Sequence, residues 1–115
     1  MRRTTSTSAI FPKRLREARL RSGLSQEQLG IEAGIDEFSA SARVNQYETG
    51  KHTPKLQTAH HLAEVLHVPT AFLYEGNDLL ARLLIVAAPL PLKSMEALLE
   101  YAERMSQASA SPETK

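Results

Sequence analysis

The chain has 115 residues, and its 14 Lys and Arg residues against 13 Asp and Glu residues give a net charge of +1. The sequence contains no cysteine, which excludes disulfides, zinc sites with thiolate ligands and a cysteine nucleophile. The longest apolar stretch, residues 83–90, is too short to cross a bilayer, and no apolar run follows the N-terminal arginines, so we expect a cytoplasmic protein with no membrane partner.

The two ends of the chain are polar, whereas the sequence between them has helical periodicity. Residues 1–10 and 108–115 are rich in small polar side chains, which predicts flexible tails. Pro12 suits the first turn of a helix, and Gly23 suits its end. We therefore expect a first helix between these two residues.

A second, short helix is predicted by a capping box, in which Ser25 is followed three residues later by Gln28. Gly34 marks its end. Gly30 inside this helix costs about 1 kcal/mol relative to alanine, and a close helix crossing would explain its presence. Residues 35–40 then form a loop.

Three further helices follow this loop. The third is predicted from about Ser41 to Thr49 and is stopped by Gly50. Pro54 opens the fourth, and Pro69 opens a short fifth helix that places Phe72 and Leu73 inward. The fourth helix carries an apolar stripe at helical spacing: Leu56, Ala59, Leu62, Ala63 and Leu66.

The C-terminal third predicts two more helices. Residues 77–88 are apolar on most sides and are followed by Pro89 and Pro91, which break the helix. Ser94 is suited to cap a last helix. Because no alternating strand pattern and no hairpin signal is present, the predicted fold class is all-α.

Two stretches in the first half carry a recognisable motif. Leu24-Ser25-Gln26 opens the second helix, and Val44-Asn45-Gln46-Tyr47-Glu48-Thr49-Gly50-Lys51 ends the third, before Pro54. From about Leu15 to Leu73 the chain resembles the phage-repressor (Cro-like, XRE) family of helix-turn-helix regulators. The resemblance implies a five-helix DNA-binding domain over residues 11–76, followed by one or two helices over residues 77–107.

The resemblance implies that the third helix enters the major groove of DNA. At 100° per residue, Val44 and Tyr47 face the core. Amides can read adenine, arginine can read guanine, and an alanine methyl can pack on a thymine methyl. The predicted base-reading residues are Ser41, Ala42, Arg43, Asn45 and Gln46. The alternative is an ordinary solvated helix face.

The residues expected to contact DNA phosphates lie at the start of the second helix and after the third. Gln26 is near free backbone N–H groups, and the loop after the third helix carries two lysines. The predicted phosphate contacts are Gln26, Thr49, Lys51, His52 and Lys55. A polar first-turn residue and a solvated basic turn are the alternatives.

The resemblance also implies a structural salt bridge between Arg19 and Glu48, although Arg19 could instead touch phosphate. One departure from the family is a turn about three residues longer than usual, within residues 35–40. Its two acids would repel phosphate, so we expect this loop to point away from the DNA backbone or to pack through Phe38. The longer turn makes the roles of Ser41 and Ala42 less secure than those that follow them.

The C-terminal helices carry more apolar surface than a small domain can cover. We expect them to form a dimer interface that includes Leu80, Leu83, Leu84, Leu98 and Leu99. Folding back onto the same chain is the alternative. The predicted function is a sequence-specific transcriptional regulator, a repressor that binds a palindromic operator in double-stranded DNA as a homodimer, without a cofactor.

Two other functions compete with this prediction. An antitoxin-like or adaptor module would act through the C-terminal helices on another protein. A metal-dependent enzyme would need His60, Glu64 and His67, which share a helix face with His61 beside them, but a solvated face fits them better. We therefore predict neither a metal site nor an enzyme.

The distribution of charge supports a DNA partner better than the total does. Residues 1–55 contain ten Lys and Arg residues and six Asp and Glu residues, whereas residues 56–115 contain four and seven. The predicted DNA-facing half is therefore basic, and the other half is acidic.

Overall fold

The computed structural model describes residues 7–110, which form six α-helices and one 3₁₀ helix with no β-strand in that range. The predicted all-α class is confirmed. The helices are α1 (Thr7–Ser22), α2 (Gln26–Glu32), α3 (Ala40–Thr49), α4 (Leu56–Leu66), the 3₁₀ helix (Thr70–Tyr74), α5 (Asp78–Ala87) and α6 (Leu92–Ser109). The described part of the chain divides into two compact units, and the division lies between Ile85 and Val86.

The first helix begins earlier than Pro12 predicts. α1 starts at Thr7, so that Pro12 lies inside the helix and removes one backbone donor from it. Residues 7–10, predicted to belong to a flexible tail, are thus helical, and Ile10 is half-buried. The rest of that predicted tail, residues 1–6, lies outside the described residues.

The core of the first unit is built from the inward faces of these helices. Its fully buried side chains include one leucine from each of α1, α2, α4 and the 3₁₀ helix, together with a valine from α3: Leu15, Leu29, Leu62, Leu73 and Val44. The predicted inner stripe of α4 is buried except for Leu56, which is exposed. Leu56 is the first residue of α4, and its position at the end of the helix leaves it beyond the core.

Helices α2 and α3 pack against each other at Gly30. A Cβ atom built on Gly30 would lie 2.8 Å from the Ala40 Cβ and 3.0 Å from the Ala40 carbonyl oxygen. The predicted close crossing is therefore present. The predicted capping box is also present, because the Ser25 hydroxyl accepts from the Gln28 N–H and the Gln28 side chain accepts from the Ser25 N–H.

The lengthened turn between α2 and α3 is anchored by Ile35, which packs partly against the core. Asp36 organises the rest, since its side chain accepts from the Phe38 N–H and its carbonyl accepts from the Ser39 N–H. The Phe38 side chain is 91% exposed. Of the two alternatives expected for this loop, packing through Phe38 is wrong, because the aliphatic Ile35 takes the inward position instead. Its direction relative to DNA stays a prediction.

Helix α5 joins the core of the first unit on one side only. Ala81 is buried there, and Ile85 packs against the same cluster. Arg14 of α1 holds the start of this helix, because it donates to the Glu75 carbonyl oxygen at 2.8 Å and to Asp78 at 2.9 Å. Its guanidinium also lies over the Phe72 ring, 5.6 Å from the centroid.

The second unit is dominated by α6. This helix begins at Leu92 after Pro91, which fixes an extended conformation at the helix boundary, so Ser94 lies inside the first turn and is not the cap. None of its 18 residues is buried. The helix continues to Ser109 and includes the first two residues of the tail predicted for 108–115. Within residues 7–110, no helix has the length and apolarity to span a membrane.

Candidate nucleic-acid interface

Helix α3 has a buried face and an exposed face. Ala40, Val44 and Tyr47 are buried against the rest of the domain. The predicted base-reading residues lie on the other side: Ser41, Ala42, Arg43 and Asn45 are exposed, and Gln46 is half-buried. Gly50 ends the helix in a left-handed conformation with φ of +81°, which glycine adopts without a steric penalty. All five candidates are thus accessible to solvent along α3.

A basic groove of about 700 Å³ runs beside this face. Arg43 and Gln46 line it from α3, and His52 and Lys55 line it from the loop that leads to α4. The His52 N–H donates to the Gln46 carbonyl oxygen at 3.2 Å, which folds the loop back against the end of the helix. Three basic side chains therefore converge on an open groove next to the candidate base-reading residues.

The other predicted phosphate contacts occupy less uniform positions. Lys51 is exposed beside the groove. Thr49 is exposed too, but its hydroxyl donates to the Gln46 carbonyl oxygen at 3.3 Å. Gln26 is half-buried, and its side-chain nitrogen donates to Asn45 and Glu48. The donors of the Thr49 and Gln26 side chains are therefore engaged within the protein. The Lys51 side chain makes no hydrogen bond within the described part of the chain.

Arg19 and Glu48 form a bidentate ion pair between α1 and α3. The Arg19 Nε donates to Glu48 Oε2, and its Nη2 donates to Oε1 at 3.1 Å. The Glu48 side chain is 2% exposed and that of Arg19 is 11% exposed, so the pair is shielded from water. The hydrogen bond to Glu48 raises the pKa of Arg19, and partial burial opposes this shift.

The same arginine also holds the connection that follows α1. Its Nη1 donates to the Leu24 carbonyl oxygen at 3.0 Å, in the segment between α1 and α2. Three guanidinium nitrogens of Arg19 thus hold α1, the α1–α2 connection and α3 together. This arrangement fixes the angle at which α3 is presented and uses three of the five N–H donors of Arg19 within the protein.

Arg14 is a structural residue that the sequence analysis missed. Its only signal was a position one residue before Leu15, where a charged side chain is expected to be exposed. The side chain is instead buried, and it meets acceptors more than 60 positions away in the sequence, Glu75 and Asp78. Such a contact could not be deduced from local periodicity.

The predicted dimer-forming leucines differ in exposure. In α5, Leu80 and Leu83 are exposed and Leu84 is half-buried. In α6, Leu99 is 56% exposed and Leu98 is half-buried. Several further large apolar residues of these two helices and the segment between them are exposed: Leu79, Val86, Leu90, Leu92, Tyr101 and Met105.

His60 of α4 has ordinary hydrogen-bonding partners. His60 Nδ1 lies 2.9 Å from the Thr70 hydroxyl, and His60 Nε2 lies 3.4 Å from Glu64. His67 ends the helix in a left-handed conformation with φ of +58°. Within residues 7–110, no group of three or more potential metal ligands lies together.

Comparisons with known proteins agree with this geometry. A family model described as a helix-turn-helix domain matches residues 13–72. The fold is similar to the crystal structure of the transcriptional regulator BswR, with a TM-score of 0.77 and 44% sequence identity over 87% of this chain and 98% of that one. A search of curated proteins gave no match. The chain therefore belongs to the helix-turn-helix domain family of transcription regulators.

Proposed function

We propose that this protein is a sequence-specific DNA-binding regulator of transcription, and that α3 reads the major groove. The observation that carries the proposal is the exposed face of α3, with Arg43, Asn45 and Gln46, next to the basic groove. Arginine and amide side chains make specific hydrogen bonds to base edges, and cations beside them hold phosphates. A regulator of this kind works where the DNA is, which fits the predicted cytoplasmic location.

The phosphate contacts in this proposal come from the loop after α3. Lys51 and Lys55 carry the positive charge. The neighbouring segment, residues 24–42, contains four acidic residues and no Lys or Arg. This contrast orients the domain, because the loop after α3 attracts the DNA backbone while the lengthened turn is repelled by it.

We further propose that the protein acts as a homodimer through α5 and α6. Leu83 of α5 is 45% exposed, and no residue of α6 is buried, although that helix has an apolar stripe. Apolar stripes that are exposed to water are typical of interaction surfaces. A second copy would give a two-fold arrangement suited to a palindromic operator, with half-sites about 34 Å apart.

The first experiment selects bound duplexes from a random pool and measures their affinity by fluorescence anisotropy at several salt concentrations. Arg43→Ala and Gln46→Ala should each cost about 1–3 kcal/mol and relax specificity at one base pair. Lys51→Ala should weaken binding to all sequences alike and reduce the salt slope by about one unit. If Arg43→Ala weakens the selected site and random DNA equally, Arg43 does not read a base.

The second experiment tests the dimer by sedimentation. Leu83→Glu and Leu99→Glu should each shift the protein toward monomer and weaken binding to a full operator more than to a half-site. Gln107→Glu is the matched control, because it adds the same charge at an exposed polar position of α6. A monomeric wild-type protein that co-purifies with a stoichiometric protein partner would instead favour the adaptor function.

The repressor role is tested in a reporter assay. Expression from a promoter that contains the selected operator should fall when the regulator is present. It should recover with Arg43→Ala. A rise in expression with the wild-type protein would identify an activator.

A further inference from the structure

The side-chain amide of Gln26 connects two other residues of the candidate interface. Its Nε2 donates to Glu48 Oε1 at 3.1 Å and to Asn45 Oδ1 at 3.2 Å. An amide nitrogen has two hydrogens, so both are used within the protein. The Gln26 side chain therefore links α2 to two residues of α3, Asn45 on the exposed face and Glu48 on the buried face.

This network determines which way the amide of Asn45 points. The Glu48 carboxylate, paired with Arg19, can only accept hydrogen bonds, so the Gln26 atom that faces it must be the nitrogen. The same nitrogen faces Asn45, and the Asn45 atom that receives it must be the oxygen. The Asn45 Nδ2 is then left with two donors, and it makes no hydrogen bond to any other described residue.

We infer that Gln26 is a positioning residue that holds Asn45 as a hydrogen-bond donor toward DNA. The inference rests on the proposed function, because it requires α3 to read base edges. A donor favours guanine, whose N7 and O6 both accept, and thymine, whose O4 accepts, over adenine, which presents its N7 acceptor beside the N6 donor. The bidentate contact to adenine is disfavoured, since the asparagine oxygen that would accept from adenine N6 is turned toward the Gln26 amide.

The inference also replaces the phosphate contact predicted for the Gln26 side chain. A phosphate oxygen needs a hydrogen-bond donor, and both amide donors of Gln26 are occupied. The buried Arg19–Glu48 pair is thereby connected to base selection through one intermediate side chain. This connection predicts that a change at Gln26 alters specificity at one base pair without touching the DNA.

The test compares sequences selected from a random duplex pool by wild-type protein and by variants. Asn45→Ala identifies the operator position that Asn45 reads, because the preference there is lost. In the wild type we expect guanine or thymine at that position. Gln26→Met keeps the length of the side chain but removes both donors. Adenine should then also be selected at the Asn45 position, and the preference for guanine or thymine over adenine should fall about tenfold.

One control variant and one further measurement make the comparison specific. Gln107→Met makes the same replacement on the exposed polar face of α6 and should leave the selected sequence unchanged. Gln26→Met should also leave the salt slope unchanged, whereas loss of a phosphate contact would flatten it. Circular dichroism and thermal unfolding establish that each variant is folded.

A second variant tests the orientation of Asn45 without disturbing Gln26. Asn45→Asp has two acceptor oxygens, one of which can still receive the Gln26 N–H. The other would face DNA as an acceptor, so the preference should switch to cytosine, whose N4 is a donor. This exposed position tolerates the change even if Gln26→Met should fail to fold.

Three results would overturn the inference: adenine at the Asn45 position in the wild type, an unchanged preference in Asn45→Asp, or a uniform loss of affinity with a flatter salt slope in Gln26→Met. Failure of the proposed function looks different, since no sequence would then be enriched by the wild type. The two failures are therefore distinguished within one experiment.

Discussion

The ion pair between Arg19 and Glu48 gives the sharpest prediction about stability. Glu48→Gln keeps the shape of the side chain but removes its charge. One of the two carboxylate oxygens becomes an NH₂ group, which faces an Arg19 N–H donor in either orientation and, at the Oε1 position, the Gln26 Nε2 as well. The substitution therefore leaves a largely buried arginine without a counter-charge and places two donors opposite each other.

The expected loss of stability follows from this burial. Removing one partner of a buried ion pair costs about 3–5 kcal/mol. Because the Arg19 side chain retains 11% of its exposure, we expect the lower end of that range, about 3 kcal/mol. For a domain of this size, that loss lowers the melting temperature by about 12–24 °C.

The assay is urea and thermal unfolding followed by circular dichroism, combined with a double-mutant cycle. Arg19→Met alone should cost a similar amount, because it leaves the Glu48 carboxylate buried. Glu48→Met is the second single variant, and Arg19→Met combined with Glu48→Met should cost at least about 1 kcal/mol less than the losses of Arg19→Met and Glu48→Met added together. Glu37→Gln, at an exposed position of the α2–α3 turn, is the control and should stay within about 0.5 kcal/mol of the wild type.

Two outcomes would refute this reasoning. A loss below about 1 kcal/mol for Glu48→Gln would mean that the pair is screened like a surface salt bridge. Strictly additive losses in the cycle would mean that the two side chains stabilise the domain independently. Either result would also remove the argument that this pair fixes the angle of α3.

Three further substitutions test the packing of the domain. Gly30→Ala should destabilise it by about 1–2 kcal/mol despite a better helix propensity, because the new Cβ would meet Ala40 atoms that move only with α3; equal stability in urea unfolding would contradict the close crossing. Phe38→Ser should change stability by less than about 0.5 kcal/mol, since the ring is exposed, and a larger loss on thermal unfolding would show that it packs. Arg14→Ala should cost about 1–3 kcal/mol, because its hydrogen bonds to Glu75 and Asp78 are lost. The exposed Arg16→Ala should be neutral, and equal melting temperatures for the two variants would show that Arg14 does not hold the start of α5.

Much of the fold was predictable because its signals are local. The capping box at Ser25 and Gln28 depends on residues three positions apart, and the left-handed Gly50 depends on its own backbone freedom. The two faces of α3 follow from the helical repeat of 3.6 residues. These features need no knowledge of which helix packs against which.

Helix ends were less predictable. Pro12 was expected to open α1, yet the helix begins five residues earlier, because packing of Ile10 and Phe11 offsets the hydrogen bond that proline removes. Pro91 rather than Ser94 borders α6 for a different reason, because the fixed backbone angle of proline sets the boundary without a side-chain cap.

The net charge of +1 for the whole chain is the sum of a basic first half and an acidic second half. The sequence by itself determined the all-α class, the basic first half and the exposed face of α3, because composition and periodicity act over short distances. Only the tertiary structure decided that Arg14 is buried, that Phe38 is exposed and that Gln26 joins Asn45 to Glu48. These outcomes depend on which distant side chains meet when the helices pack, and a local pattern does not contain that information.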